Sequence, residues 1–255
     1  MAVILARWRV SLAAMLLLAS GVVAQELDLR DIEGRIEYAW FTEDANSLRN
    51  LIRTAEGALP KSADSAITRY QLGFAHYRLG LLLAQKKDAD AAEAFSGCVK
   101  ELDEAVEANQ SFADAYALQS ACYGSLAGLQ AWKAVVYGPQ SDAKLDKARQ
   151  LAPRNPRVVL LDGLADGDKP KAFGGDKARA QAKFKRAVEL FEGAGEAAEG
   201  EPSWGAAEAY LHLGRGLMQS GDTLGARNAL EHALIIAPEF AAARRELQRL
   251  TATRQ

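Results

Sequence analysis

The chain has 255 residues, of which 31 are lysine or arginine and 33 are aspartate or glutamate, so its formal net charge is −2. This slight acidity argues against a nucleic-acid partner, which would require a clustered basic surface. An alanine-rich composition, seven prolines and few runs of β-branched residues favour helix throughout. No stretch of the sequence is typical of a strand.

The N-terminal segment has the pattern of a secretory signal peptide. Arg7 and Arg9 precede an apolar run over 12–23, and Val22-Val23-Ala24 places small residues at the −3 and −1 positions of a cleavage site. We expect residues 1–24 to be removed before Gln25, which predicts a periplasmic or secreted protein. The alternative is an uncleaved anchor, but the run is short for the roughly 20 residues of a membrane span. After cleavage no stable membrane insertion is expected.

The first two predicted helices lie on either side of residues 42–44. The first covers 29–41, and Thr42-Glu43-Asp44 provides a break and an N-cap for the second. The second helix carries apolar residues at helical spacing, namely Leu48, Ile52 and Ala55.

The next pair is longer, with predicted helices over 62–85 and 89–108. Its first helix presents an apolar stripe spaced three and four residues apart. The stripe consists of Ile67, Tyr70, Phe74, Tyr77 and Leu81.

A third pair is predicted to begin at Ala113, with its first helix running to Val136 and ending at Tyr137-Gly138-Pro139. The partner helix covers 141–151. Cys98 and Cys122 fall on consecutive helices and form a disulfide in an oxidising compartment, or else are two small buried residues. Neither has a histidine or another cysteine at metal-ligand spacing, so a zinc site is not expected.

A short helix over 156–164 and a loop over 165–175 precede a helix that Asp176 can cap. The Phe173-Gly174-Gly175 loop either cradles an anion at that helix N-terminus or forms a tight turn with Phe173 packed as an anchor. The capped helix has basic residues on one face, which are either solvated or contact an acidic partner. These residues are Lys177, Arg179, Lys183, Lys185 and Arg186.

The segment 207–240 contains the most regular pattern in the chain. Small and large residues alternate so that two antiparallel helices can cross closely, with a turn at Gly221-Asp222 and a stop at Pro238. The large residues are Tyr210, Leu213, Leu217 and Leu230, and the small ones are Gly214, Ala226 and Ala233. A last helix over 241–251 would cover the exposed end.

This order of residues over 34 positions resembles the tetratricopeptide repeat (TPR), and weaker copies extend the resemblance over most of 28–250. The resemblance implies an all-α protein, a right-handed α-solenoid of four to five helix pairs with a C-terminal capping helix. We divide the mature chain into N-terminal TPR-like helices over 25–155 and C-terminal TPR-like helices with the cap over 156–255.

In TPR proteins the first helix of each repeat lines a concave groove in which partners usually bind. By this resemblance the groove is expected to be small and apolar, and it lacks the basic clamp used for acidic peptide tails. The residues assigned to it are Tyr77, Leu81, Asp114, Ala117, Ala121, Glu208, Leu211, Arg215 and Met218. The apolar ones among them either contact a partner or only pack against the neighbouring helix.

No pattern in the sequence predicts catalysis. His76, His212 and His232 are far apart and stand in no metal-binding motif, and there is no Gly-X-Ser-X-Gly nucleophile elbow. We therefore expect a protein that is not an enzyme and that needs neither a cofactor nor a metal.

Two functions fit these features. The first is an adaptor or scaffold of the bacterial cell envelope that binds a segment of another envelope or secreted protein on its concave face. The alternative is a small-ligand-binding accessory protein of a transport system, because the long helices over 62–136 and the helix near 174–187 faintly resemble the soluble T components of TRAP-type uptake systems. A closed aromatic cavity would favour the ligand protein and an open groove the adaptor. The sequence leaves the oligomeric state open.

Overall fold

The computed structural model of the protein describes residues 29–58, 65–195, 197–198 and 200–252. Within these ranges every regular element is helical, with eleven α-helices and two short 3-10 turns. The helices are α1 (Leu29–Phe41), α2 (Ala45–Ala58), α3 (Ser65–Gln85), α4 (Ala91–Ala108), α5 (Ala113–Leu129), α6 (Ala134–Leu151), α7 (Pro156–Asp168), α8 (Lys177–Gly193), α9 (Ala206–Gln219), α10 (Thr223–Ile236) and α11 (Ala241–Ala252). The proposed signal peptide lies outside the described residues.

Consecutive helices pack as five antiparallel hairpins, and α11 covers the last of them. The predicted α-solenoid of TPR-like pairs is therefore confirmed. Side chains at the corresponding positions of four second helices are buried, which shows that the repeat pattern locates the seams. They are Leu48, Ile52 and Ala55 in α2, Leu145 and Ala148 in α6, Ala180, Phe184 and Ala187 in α8, and Ala226, Leu230 and Ala233 in α10.

The seam of the α9–α10 hairpin shows why its residues are small. A Cβ atom added to Gly214 would lie 2.9 Å from Cγ of Leu230, a side chain that is fully buried. The backbone of α9 can approach α10 this closely only because Gly214 has no side chain.

Side-chain caps define several helix starts. The Asp44 carboxylate accepts hydrogen bonds from the backbone N–H groups of Asn46 and Ser47, both at 3.0 Å. The Asp176 carboxylate accepts from those of Ala178 at 2.9 Å and Arg179 at 3.0 Å. Both caps were predicted, and each satisfies N–H groups that have no partner within the helix.

The predicted helix end at Tyr137-Gly138-Pro139 is wrong. The break falls at Gln130, followed by a 3-10 turn over Ala131–Lys133, and α6 then runs through Pro139. Pro139 lies in the second turn of α6, where it cannot form the backbone hydrogen bond to the carbonyl of Val135.

The helix predicted to stop at Leu164 also continues, to Asp168. Gly163 and Gly167 let α7 approach α8, since Cβ atoms added to them would lie 2.7 Å from the Phe184 ring and 3.5 Å from Cβ of Ala180. The predicted loop over 165–175 is therefore shorter and includes a 3-10 turn over Lys171–Phe173.

Cys98 of α4 and Cys122 of α5 are joined by a disulfide, with their Cα atoms 6.3 Å apart. Both residues are completely buried. The bond links the second hairpin to the third.

The two ends of the described chain meet. The Phe41 and Phe240 rings have centroids 4.5 Å apart, and Arg245 of α11 forms an ion pair with Glu43 in the α1–α2 turn. The solenoid therefore curls until its first hairpin contacts the helix that caps its last one. Across the described ranges, none of the helices combines the length and apolar character that crossing a membrane requires.

Candidate functional site

The predicted groove is divided between buried and accessible residues. Tyr77, Asp114, Ala117, Glu208 and Leu211 are buried, whereas Leu81, Ala121, Arg215 and Met218 are partly exposed. For Tyr77 and Leu211 this burial matches the alternative that they only pack against neighbouring helices. Because the solenoid curls tightly, other parts of the chain cover the five buried residues. We call the region around Arg78 the closed half of the inner face and the four partly exposed residues the open half.

The segment just before α9 fills the closed half. The Glu33 carboxylate accepts hydrogen bonds from the Ser203 backbone N–H at 2.8 Å and hydroxyl at 2.6 Å, and from Nε2 of Gln71 at 2.9 Å. Trp204 donates from Nε1 to the Tyr70 hydroxyl at 2.8 Å. These contacts hold the 203–204 segment against α1 and α3.

Arg78 lies at the centre of the closed half with a side chain only 3% exposed. Its guanidinium carbon lies 4.7 Å from the Phe74 ring centroid, 4.8 Å from Trp40, 5.0 Å from Trp204 and 5.8 Å from Tyr77. It also forms an ion pair with Glu208 of α9. Aromatic faces and one carboxylate thus take the place of water around a buried cation.

Several polar atoms in the closed half have no hydrogen-bond partner among the described residues. They are Nε of Arg78, Nε1 of Trp40 and Oε2 of Glu208. Two unpaired donors and one unpaired acceptor therefore lie around the same aromatic cluster. Buried polar groups are normally paired, so these atoms are where a bound molecule or water would form hydrogen bonds.

Charges are concentrated around this cluster. Glu37 is half-buried, and its pKa is raised to about 8, first by desolvation and then by the carboxylates of Glu208 and Glu33, while Arg78 opposes the shift. Burial likewise raises the pKa of Tyr77 to about 12. Each shift favours the neutral form of its side chain at neutral pH.

Asp114 does not face a groove but anchors the next hairpin. Its carboxylate forms an ion pair with Arg157 of α7 and accepts a hydrogen bond from Nδ2 of Asn155 at 2.7 Å. The predicted partner-binding residue is thus bonded to the chain itself.

The open half retains both apolar and charged character. Arg215 donates from Nε to Glu246 of α11 at 2.9 Å. Asp168 at the end of α7 is exposed, yet partial desolvation by the surrounding chain raises its pKa, and Arg215 opposes this shift. Asp168 also acts electrostatically on Tyr77. The ends of α7 and α9 therefore bring one carboxylate and one guanidinium to the edge of the inner face.

The basic face of α8 is not simply solvated. Arg179 donates to the Asp166 carboxylate at 2.6 and 2.7 Å, and Lys183 donates to Asp162 at 2.6 Å. These bonds join α7 to α8, which corrects the expectation of a solvated basic face for both residues. The Phe173 side chain is 77% exposed, so it is not the packed anchor of its loop.

The histidines occupy structural positions. His212 stacks on Phe184 with ring centroids 5.1 Å apart, and burial lowers its pKa to about 3, with a further contribution from Arg215. Among the residues that the structure describes, no group of three or more histidine, cysteine or acidic side chains is arranged to hold a metal ion.

Sequence reasoning did not assign Glu37, Trp40, Arg78 and Trp204 to a site. One signal was present, because Arg78 is the only lysine, arginine or carboxylate between Arg69 and Lys86 in an otherwise apolar helix. A charge in such a position requires a buried partner. Nothing in the local pattern indicates that Glu208, 130 residues later, is that partner.

Comparison with known proteins identifies the type of fold. No protein-family model and no curated protein matches the sequence. Among solved structures, the thermophilic TPR protein TTC0263 of Thermus thermophilus matches with a TM-score of 0.56 and 16% identity, over 88% of this chain and 99% of its own. The HusA haemophore from Porphyromonas gingivalis matches with a TM-score of 0.62 and 16% identity, over 76% of this chain and 94% of its own. Together with the five helix hairpins, these matches show that the chain has a TPR-like fold.

Proposed function

We propose that this protein is a non-catalytic, exported adaptor of the bacterial cell envelope that holds an apolar segment of a partner protein at the open half of its inner face. The observation that carries the proposal is the group Leu81, Ala121, Arg215 and Met218, which comes from three first helices and remains partly exposed although the rest of the predicted groove is buried. Repeat solenoids use such faces to bind extended partners. The signal-peptide pattern of residues 1–24 supports export.

The chemistry of the open half defines the segment. Leu81, Ala121 and Met218 contribute partly exposed apolar side chains, and the unbranched Met218 adapts its shape to what it contacts. Arg215 is held by Glu246, so it offers a positioned guanidinium rather than a mobile one. A helical or extended segment with apolar side chains and one carboxylate or carbonyl group facing Arg215 fits this arrangement.

Site-specific photo-crosslinking tests the proposal. A photoreactive amino acid is placed at Met218 and, as a matched control, at Leu224, which is 68% exposed at the start of α10. We expect a discrete crosslinked partner in living cells from position 218 and none from 224. A second variant, Ala121→Arg, is expected to abolish the crosslink while its circular dichroism spectrum matches that of the parent. Equal crosslinking from both positions, or none from 218, would overturn the proposal.

The closed half favours a second candidate, a small-ligand-binding protein. The unpaired Nε of Arg78 lies among four aromatic rings, one of which is Trp40 with its own unpaired Nε1. This arrangement suits a planar ligand with an acceptor group that displaces the 203–204 segment. The similarity to a haemophore places haem among the ligands to be tested.

Native mass spectrometry of the purified protein, followed by titration with haem and with aromatic carboxylates, tests this candidate. Trp40→Phe keeps a ring but removes Nε1, and we expect it to weaken binding about tenfold, the loss of roughly one hydrogen bond. Leu224→Ser is the control and leaves binding unchanged. A protein that purifies empty and binds none of these compounds would exclude the candidate without affecting the crosslinking result at Met218.

A further inference from the structure

The turn between α5 and α6 carries several large apolar side chains that are exposed to solvent. Leu129, Trp132, Val135 and Val136 are all exposed, with Trp132 and Val135 both at 77%. Large side chains exposed singly are ordinary, but four within eight residues of one turn form a contiguous apolar patch, which marks a contact site. We call these four residues the apolar tip.

A second exposed aromatic residue lies toward the same side of the solenoid. α7 runs in the same direction as α5, so its C-terminal end points toward the side of the solenoid on which α6 begins, and Lys169 just after α7 forms an ion pair with Asp142 in the middle of α6. Phe173 follows in the 3-10 turn and is 77% exposed. The apolar tip and Phe173 therefore belong to neighbouring hairpins and lie toward the same side of the solenoid.

Within the apolar tip the only charge is positive, whereas the exposed carboxylates of Asp142 and Asp168 lie near the C-terminal end of α7. There is no carboxylate between Asp114 and Asp142, a stretch that contains the whole apolar tip and Lys133. Nζ of Lys133 lies 4.7 Å from the Trp132 ring centroid, so the cation is held beside the exposed indole. The segment 169–175 also lacks carboxylates and adds Lys171 next to Phe173.

We propose that the apolar tip and Phe173, flanked by Lys133 and Lys171, dock the protein on an anionic lipid surface. Indole and phenyl rings partition into the interface between headgroups and acyl chains, and lysines beside them reach the headgroup phosphates. The tip projects from the turn between α5 and α6. Cationic and apolar groups on a projecting edge complement a lipid surface, which is flat, deformable and negative.

Sedimentation with sucrose-loaded vesicles tests the proposal. The parent protein is incubated with vesicles of phosphatidylcholine alone or with about 30% phosphatidylglycerol, in roughly 0.1 M and 0.5 M NaCl. Two lysines near the surface are expected to give roughly ten- to thirty-fold tighter binding to the anionic vesicles at low salt. This preference is expected to shrink at the higher salt concentration because exposed charges are then screened.

Matched variants test which residues contact the lipid. All of them share residues 1–28, so any vesicle binding by that segment is the same in every variant. Trp132→Ser with Val135→Ser is expected to reduce binding to anionic vesicles by at least about tenfold. The control is Leu224→Ser with Ile235→Ser, which replaces residues 68% and 73% exposed elsewhere and is expected to bind like the parent. Lys133→Glu is expected to reduce binding to anionic vesicles but not to phosphatidylcholine.

Three outcomes would overturn the proposal. The first is no sedimentation of the parent with anionic vesicles at about 1 mM lipid, and the second is equal binding by the tip and control variants. The third is a parent protein that does not bind vesicles but forms a complex with another protein that depends on the apolar tip. That result would assign this edge to a protein partner instead.

Discussion

The α9–α10 hairpin and the closed half of the inner face are both buried within the chain, but different interactions hold them. In the hairpin, small and large apolar residues within 34 positions interlock, with Gly214 against Leu230. In the closed half, Arg78 is surrounded by rings from α1, α3 and the segment before α9, and its ion-pair partner is 130 residues away. One region is built from local, neutral contacts, and the other from long-range contacts around a charge.

This difference predicts how each region fails. A local apolar seam loses stability in proportion to the atoms removed or added. A buried ion pair behaves asymmetrically, because removing one partner leaves the other charged and unsolvated. Perturbing the closed half is therefore expected to cost more than perturbing a seam, and to depend on pH.

The largest effect is expected from Arg78→Met, which keeps the volume but removes the charge. Glu208 would then be buried without its cation, and we expect the free energy of unfolding to fall by about 3–5 kcal/mol. Urea denaturation followed by circular dichroism measures this. Arg227→Met, which breaks an exposed pair with Glu231, is the control and is expected to cost less than about 1 kcal/mol. The double variant Arg78→Met, Glu208→Met should be more stable than Arg78→Met alone. If it is not, the ion pair does not account for the loss.

Reduction of the Cys98–Cys122 bond is expected to be the next largest effect. The two cysteines are 24 positions apart, and releasing a loop of that size lowers the free energy of unfolding by about 3 kcal/mol in the chain-entropy description. Urea denaturation with and without a phosphine reductant measures the change. The Cys98→Ala, Cys122→Ala protein should be insensitive to reductant. Two reactive thiols in unreduced, urea-unfolded protein would show that the bond does not form.

The hairpin seams were predictable from sequence because their contacts are local and follow the helical period. Leu48, Ile52 and Ala55 are buried as expected although their repeat matches the signature poorly. The start of α6 was missed, because Pro139 indicates a helix end more often than a second turn.

The closed half was not predictable in the same way. Which first helices meet across the inner face depends on the curl summed over five hairpins, and no single repeat encodes it. The position of Trp204 illustrates this, since it follows a loop in sequence yet hydrogen-bonds to Tyr70 of α3. The isolated charge at Arg78 indicated a buried ion pair, but the sequence did not show which residues surround it. In the structure, five of the nine predicted groove residues are buried.

Gly214→Ala tests the close apolar packing between α9 and α10. The added Cβ would lie 2.9 Å from Cγ of the buried Leu230, which overpacks the seam and is expected to lower the free energy of unfolding by about 1–3 kcal/mol. The matched control is Gly34→Ala in α1, where nothing lies within 4 Å of the new atom. Gly34→Ala should raise stability by about 0.5–1 kcal/mol, since alanine favours helix over glycine. Equal effects of both substitutions in urea denaturation would contradict close packing at Gly214.

The smallest expected effect is the pH dependence contributed by Glu37. Its pKa is raised from 4.5 to about 8 in the folded protein, so the folded state keeps a proton that the unfolded state releases above pH 4.5. Below that pH both states are protonated and the group has no effect. Between about pH 5 and pH 8 its contribution to stability falls as pH rises, by at most about 1.4 kcal/mol per pH unit.

Glu37→Gln removes this titration while keeping the size of the side chain. The gain in unfolding free energy of the variant over the parent should therefore be larger at about pH 8.5 than at about pH 5, by about 1–2 kcal/mol once relaxation of the site is allowed for. Urea denaturation at the two pH values measures it, with the exposed Glu107→Gln as control. A gain that does not change with pH would mean that Glu37 reaches solvent in the folded protein. In that case the charge of the closed half would be confined to Arg78 and Glu208, and the pH dependence that separates this region from the neutral α9–α10 seam would disappear.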